Sequence, residues 1–206
     1  MIDKIAIHHF GPTKNSVKSA HLTESDINNA HRLRWPDFPS ELNGSYIGYN
    51  CIIYPNGKMK QYRFLGEETA AQKYHNLDTF SICLAGNFMK EAETPTIEQK
   101  MRLKSLRGRL SGDVQSIGIR VKQGTTYQFS RKNIYPHRGL TPTTSCYGDS
   151  LSDSWARDLI IPFGEEQEKK ELLTTLISLY RKLILLLRQK QLGNRLTDCS
   201  ETDCRG

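Results

Sequence analysis

The sequence predicts an α/β domain, a single mixed β-sheet flanked by helices, followed by a C-terminal amphipathic helix. Three observations carry that expectation. Runs rich in β-branched and aromatic residues alternate with segments of helical apolar spacing as far as about residue 163. Pro162-Phe163-Gly164 then closes the alternation, and the composition turns first charged and then Leu-rich. Between them, residues 134–150 are broken by Pro136, Gly139, Pro142 and Gly148, which excludes one continuous helix and favours a loop. The expected organisation is a first domain over residues 1–163 and a helix with a polar tail over 164–206.

Taken in order, residues 2–8 alternate polar and apolar and form a strand that delivers His8 at its C-terminal end. His9 follows directly, so the two imidazoles of an extended backbone point to opposite faces. Thr23 and Asp26 form a short capping box ahead of Ile27, Ala30 and Leu33, giving a surface helix that stops before Trp35-Pro36. Residues 46–54 make a buried strand, Pro55-Asn56-Gly57 a turn, and residues 58–64 the return arm of a hairpin. Residues 67–76 are weakly patterned, a loop or a short helix. Residues 79–86 are the clearest central strand. Ile97, Met101, Leu103, Leu106 and Leu110 then give an amphipathic helix over 96–110. Residues 114–121 are short and β-branched, a further strand, and residues 152–159 are a last short helix.

Beyond Gly164, Leu172, Leu176, Leu179, Leu183 and Leu186 follow a heptad seam, and a second apolar row widens it. Arg181, Lys182 and Arg188 interrupt the apolar run, which falls short of the ~20 residues that span a bilayer. Three readings stand for residues 171–190: packing on the first domain, self-association, or an interfacial contact with a membrane. The repeated Thr-Asp-Cys at 197–199 and 202–204 is expected in a disordered tail.

Composition narrows the function. A hydrophobic content of 37% with 25% charged residues suits a globular chain rather than a disordered one. The net charge of +7 implies an anionic partner. Nucleic acid is not expected, because the basic residues of 100–132 are scattered and no recognition motif accompanies them. Five cysteines without Cys-x-x-Cys spacing do not make a disulfide scaffold. The N-terminus enters a strand without a basic-then-apolar leader, so synthesis in the cytoplasm without a cleaved signal peptide is expected.

The chemistry concentrates in 134–150. His137 and Cys146 lie nine residues apart on a segment able to fold back on itself, and an imidazole with a thiolate is a donor pair that suits Zn²⁺. Two ligands are not a site, and His8-His9 is the evident source of a third.

The ordered landmarks resemble one family. They are Ile5-Ala6-Ile7-His8-His9, then His31 with Trp35, then Ile47-Gly48-Tyr49-Asn50-Cys51-Ile52-Ile53 with Asn56-Gly57 and Arg63. Ser81-Ile82-Cys83-Leu84-Ala85-Gly86-Asn87-Phe88 follows, and His137-Arg138 with Thr144-Ser145-Cys146-Tyr147-Gly148-Asp149 completes the set. Over residues 2–160 the chain resembles the zinc-dependent N-acetylmuramoyl-L-alanine amidases, a group that includes bacteriophage lysozyme-type amidases and peptidoglycan recognition proteins. The resemblance implies a mixed sheet flanked by helices and one Zn²⁺ per chain held by His8, His137 and Cys146. It also implies Tyr49 and Thr144 as catalytic residues and peptidoglycan as the partner, cut between N-acetylmuramic acid and L-alanine by an endolysin or a wall-remodelling enzyme. Beside it, His9, His31, Arg63 and Asn76 are expected to contact substrate, and His75 or Gln72 to stand in for a histidine some relatives use. Cys146-Tyr147-Gly148 replaces the usual Cys-Pro-Gly, Gly139 replaces an aspartate, and one extra residue separates His137 from Cys146. The rival readings are a recognition module of the same fold that binds without cutting, and a membrane-active or scaffold protein acting through its C-terminal helix.

Overall fold

The computed structural model describes residues 1–13, 16–107, 114–161, 173–185 and 187. Its centre is a five-stranded sheet built from β1 (Lys4–His9), β2 (Cys51–Ile53), β3 (Met59–Gln61), β4 (Thr79–Leu84) and β5 (Ile134–Pro136), in the order β3-β2-β4-β1-β5. The β2–β3 hairpin is antiparallel, and the other three pairings are parallel. The sheet is therefore mixed, as expected. β1 and β4 run in register over six residues, with His8 opposite Cys83.

Both faces of the sheet are covered, so the central strands are apolar on both sides. On one face Ile5, Ile7, Phe80, Ile82 and Leu84 form the larger core with Leu103, Leu106, Ala156 and Ile160. Those four come from α2 (Ile97–Ser105) and its C-cap, and from α4 (Trp155–Ile160). On the other face Ile52 and Cys83 meet Ile27 of α1 (Glu24–Arg34), together with Ile47 and Tyr62. His8 follows Ala6 onto this second face, and His9 follows Ile5 and Ile7 onto the first.

The helices begin where their caps dictate. Thr23 and Asp26 close a reciprocal capping box on α1, and Thr96 and Gln99 do the same on α2. Gln99 also docks α2 onto the ends of β2 and β4, its amide donating to the carbonyls of Ile53 and Ala85. The buried side of α2 is accordingly Gln99 and Leu103, while Ile97 and Met101, expected on the apolar face, are 69% and 64% exposed.

Other differences have local causes. The strand expected over 46–54 shortens to Cys51–Ile53, because the Asn50 side chain occupies the ladder. Its Oδ1 accepts from Ser81 N–H and its Nδ2 donates to Phe64 O. The strand expected over 114–121 is a 3₁₀ turn at Val114–Ile117, with a single bridge between Leu65 and Val121 remaining of any pairing. In place of the loop expected over 134–150, β5 forms at its start and α3 (His137–Leu140) follows directly.

By contacts the chain divides into Met1–Pro162 and Phe163–Gly206. Residues 173–185 are helical. The rest of the expected C-terminal helix, the closing Pro162-Phe163-Gly164, the end of the 96–110 helix and the Thr-Asp-Cys tail lie outside the described residues. Among the described residues no helix is long and apolar enough to cross a membrane.

Candidate metal centre

His8, His137 and Cys146 converge, with one donor atom of each lying within 4.8 Å of the others. Each arrives by a different route. β1 carries His8 to the sheet's end, α3 opens on His137 straight after β5, and the following loop folds Cys146 back over β1. The two imidazole rings are 4.5 Å apart between centroids, and Cys146 Sγ is 3.9 Å from His8 Nδ1. Backbone N–H of His9 donates to the sulfur at 3.4 Å.

The loop is held by Arg138, which the sequence marks only as the neighbour of a ligand. Its backbone N–H donates to Cys146 O at 2.7 Å. Its guanidinium donates to Asp153 at 2.6 Å, Gly148 O at 2.5 Å and Leu151 O at 2.8 Å. Tyr147 is fully buried and donates its hydroxyl to Ser152 O. Thr144 Oγ1 accepts from Cys146 N–H at 3.2 Å, so this side chain shapes the turn that presents the thiol.

The donor set fits zinc. Burial holds His8 well below the ordinary histidine range and lowers His137 to about 4, so both rings are neutral with a lone pair to give. Burial pushes the Cys146 thiol up to about 12, against the pull of His9 N–H and Arg138, so a cation must be present before this sulfur ionises at neutral pH. Tetrahedral Zn–N and Zn–S bonds set donor separations of roughly 3.5 Å, a small contraction from the arrangement seen.

The cluster lies on a cleft of about 550 Å³. Tyr49 and His31 form one wall, with the Tyr49 ring 5.2 Å from His8 and 5.5 Å from His31. Burial, and then the neighbouring thiols of Cys83 and Cys146, raise the Tyr49 hydroxyl well above its usual value, so it stays protonated. His31 Nδ1 accepts from Gly48 N–H at 2.9 Å, which places its ring hydrogen on Nε2. His9 also borders the cleft, but its Nδ1 is taken by Phe88 N–H at 2.9 Å. Arg34 and Trp35 add a cation and an aromatic face to the rim, the guanidinium 4.8 Å from the indole ring. In the sequence Trp35 is only a landmark, and nothing in its spacing marks it or Arg34 as part of the cleft.

Two residues expected to contact substrate are placed elsewhere. Arg63 is 1% exposed, and its guanidinium is committed to Ile47 O, Glu67, Glu68 O and Phe38 O. It is a buried clamp, because each of its three guanidinium nitrogens already donates to a protein acceptor. Asn76 Oδ1 accepts from Ala71 N–H, Gln72 N–H and the Thr69 hydroxyl, so it braces the 69–76 loop. His75 sits beside Asp78, 3.3 Å away. Gln72 is buried under His8 rather than open to the cleft.

Burial gives this site a measurable pH signature. His9, His31 and His137 are each lowered to about 4 from an ordinary 6.5. Above pH 6.5 these rings are neutral in both folded and unfolded chains. Below it the unfolded chain takes up protons first, so stability of the metal-free protein is expected to fall between about pH 6.5 and 4. Each histidine steepens the decline by up to about 1.4 kcal/mol per pH unit. Urea titrations across that range check it, and a flat profile would contradict the buried neutral rings.

No family model and no curated protein matches the chain. Among solved structures, it is similar to the endolysin N-acetylmuramoyl-L-alanine amidase LysCS of Clostridium intestinale, at 20% identity over 72% of this chain and 76% of that one, with a TM-score of 0.47. It is similar also to the endolysin of Thermus scotoductus bacteriophage Ph2119, at 16% identity over 77% and 84%, with a TM-score of 0.48. A further similar structure is the Drosophila peptidoglycan recognition protein LB, at 17% identity over 78% and 81%, with a TM-score of 0.49.

Proposed function

We propose that the chain is a zinc-dependent amide hydrolase acting on peptidoglycan, cutting between the lactyl group of N-acetylmuramic acid and L-alanine. The observation that carries this reading is the meeting of His8, His137 and Cys146 beside an open cleft, with Tyr49 against them. Three protein ligands leave a tetrahedral ion one open position, as in catalytic rather than structural zinc sites. Bound there, zinc supplies Lewis acidity and a nucleophile at neutral pH.

The chain's own residues supply the rest. Tyr49 keeps its proton, which is held toward the Cys83 thiol in the free protein and can turn to the amide oxygen as charge develops on it. His31 offers a second donor, Nε2–H, on the same wall. Thr144 holds the ligand turn through Cys146 N–H and retains its own hydroxyl hydrogen. The substrate class rests on the ordered motifs that resemble wall amidases, and the charge of +7 favours approach to an anionic wall. The protein then meets its substrate outside the cytoplasm.

Digestion of purified peptidoglycan by the zinc-loaded protein tests the reading. New L-alanine amino termini with intact glycan strands are expected. A protein that holds zinc and binds wall yet releases no amino termini is instead a recognition module. Tyr49→Phe is expected to retain zinc while hydrolysis falls by about a hundredfold, the effect of losing one donor to a developing oxyanion.

A further inference from the structure

Gln72 is 1% exposed, meets His8 at Nε2 and does not line the cleft. Its amide is oriented without ambiguity. Nε2 donates to His75 O at 3.1 Å, an acceptor that an amide oxygen could not face. Oε1 is thereby turned to Ser81 Oγ at 3.2 Å and to His8 Nε2 at 3.0 Å. Ser81 donates its hydroxyl hydrogen to that oxygen. An amide oxygen only accepts, so His8 Nε2 must carry the ring hydrogen. The lone pair is then on Nδ1, the nitrogen 3.9 Å from Cys146 Sγ.

The surrounding chain is built to hold this amide. Gln72 N–H donates to Asn76 Oδ1 at 2.9 Å, and Gln72 O accepts from His75 N–H at 3.1 Å, closing a tight loop. Ala70 N–H donates to Gly48 O at 2.9 Å, tying that loop to the segment that carries Tyr49. Ser81 is fixed in turn through its own N–H to Asn50 Oδ1 at 2.8 Å. Loop and strand thus converge on one oxygen beneath one imidazole.

We propose that Gln72 is a positioning residue that locks His8 in the Nε2–H tautomer, so that Nδ1 is the atom offered to the metal. This rests on the metal-centre reading above. An outer partner of this kind fixes both ring orientation and ligand basicity, and its loss weakens metal binding by roughly 10–100-fold.

Two measurements test it, one of which needs no metal. Long-range ¹H–¹⁵N correlation spectra of the metal-free protein at pH 7.5 report the His8 tautomer directly. Nε2–H is expected in wild type, and an Nδ1–H ring would overturn the proposal whatever the variants do. Zinc affinity is then read by chelator competition for wild type, Gln72→Leu and Gln72→Glu. Leucine removes the acceptor, and a loss of roughly 10–100-fold with a mixed tautomer is expected. Glutamate keeps an oxygen at the same reach, and in this buried site its protonated form turns its O–H to His75 O in place of Nε2–H, so recovery of the Nε2–H tautomer and of most of the affinity is expected. Wild-type affinity and tautomer in Gln72→Leu would overturn the assignment, as would a Gln72→Glu no better than leucine. Should the wild type bind no zinc, the metal reading fails, while the tautomer spectra still decide the role of Gln72.

Discussion

Cys146→Ala is expected to abolish zinc retention and wall hydrolysis together. Cys146 is the anionic member of the donor set, and without it two neutral imidazoles face the ion alone. The loss in affinity should exceed the roughly 10–100-fold typical of removing an outer partner of a ligand. The same thiol sets a proton count. Because burial holds it protonated up to about 12 in the free chain, zinc uptake at pH 7.5 should release at least one proton, from Cys146, and any further release would come from water at the ion's open position. The histidines contribute none, since they are already neutral. Calorimetry in buffers of different ionisation enthalpy reads this number directly. Cys51→Ala is the control: Cys51 is fully buried in the core on the far face of the sheet, so its loss should cost stability without changing zinc stoichiometry. A Cys146→Ala protein that keeps one zinc per chain would remove the basis of the proposed chemistry.

What is legible in the sequence follows from local rules. The pleat of residues 2–8 sends His8 and His9 to different faces, and the Thr23–Asp26 and Thr96–Gln99 boxes mark where two helices begin. The hairpin at Pro55-Asn56-Gly57 is equally local. What stays hidden depends on partners distant in the chain. β5 is concealed by Pro136, which ends a strand paired only with β1 and lacks the donor that a central strand would need. Val114–Ile117 has the composition of a strand, but it turns as 3₁₀ while Gly118 N–H bonds to Gln115 O. Arg63 and Asn76 look like ligand-binding residues because they are polar within a motif. Whether such a group faces a substrate or a buried carbonyl is decided by chain segments that local spacing does not encode. Arg138 shows the converse. Beside a candidate ligand it passes for part of a motif, yet its contacts with Asp153 and Leu151 further along the chain fix the loop.

Gly148→Ala is expected to be the most damaging single-methyl change near the site. Gly148 has φ +92°, and a Cβ there would lie 2.0 Å from Phe88 O, 2.2 Å from Phe88 C and 2.9 Å from Met89 N. Those are backbone atoms, which cannot swing aside as a side-chain tip can. The two segments are also stitched together. Ser150 N–H and its hydroxyl both reach Phe88 O, and Lys90 N–H reaches Asp149 Oδ1. Phe88 N–H in turn bonds His9 Nδ1, so parting the segments disturbs the strand end that carries His8. Strain at positive φ costs about 1–2 kcal/mol, and overpacking adds about 1–3 kcal/mol, giving an expected loss of about 2–5 kcal/mol. Gly124→Ala separates the two contributions, because Gly124 has φ +77° with nothing within 4 Å of an added methyl. It should lose only the first part and leave zinc affinity unchanged. Gly148→Ala should lose both, and should bind zinc more weakly because Cys146 lies two residues away on the displaced loop. Urea denaturation of the two variants beside wild type, with chelator competition on each, gives the comparison; equal losses of stability would mean that the contact with Phe88 does not hold the ligand loop in place.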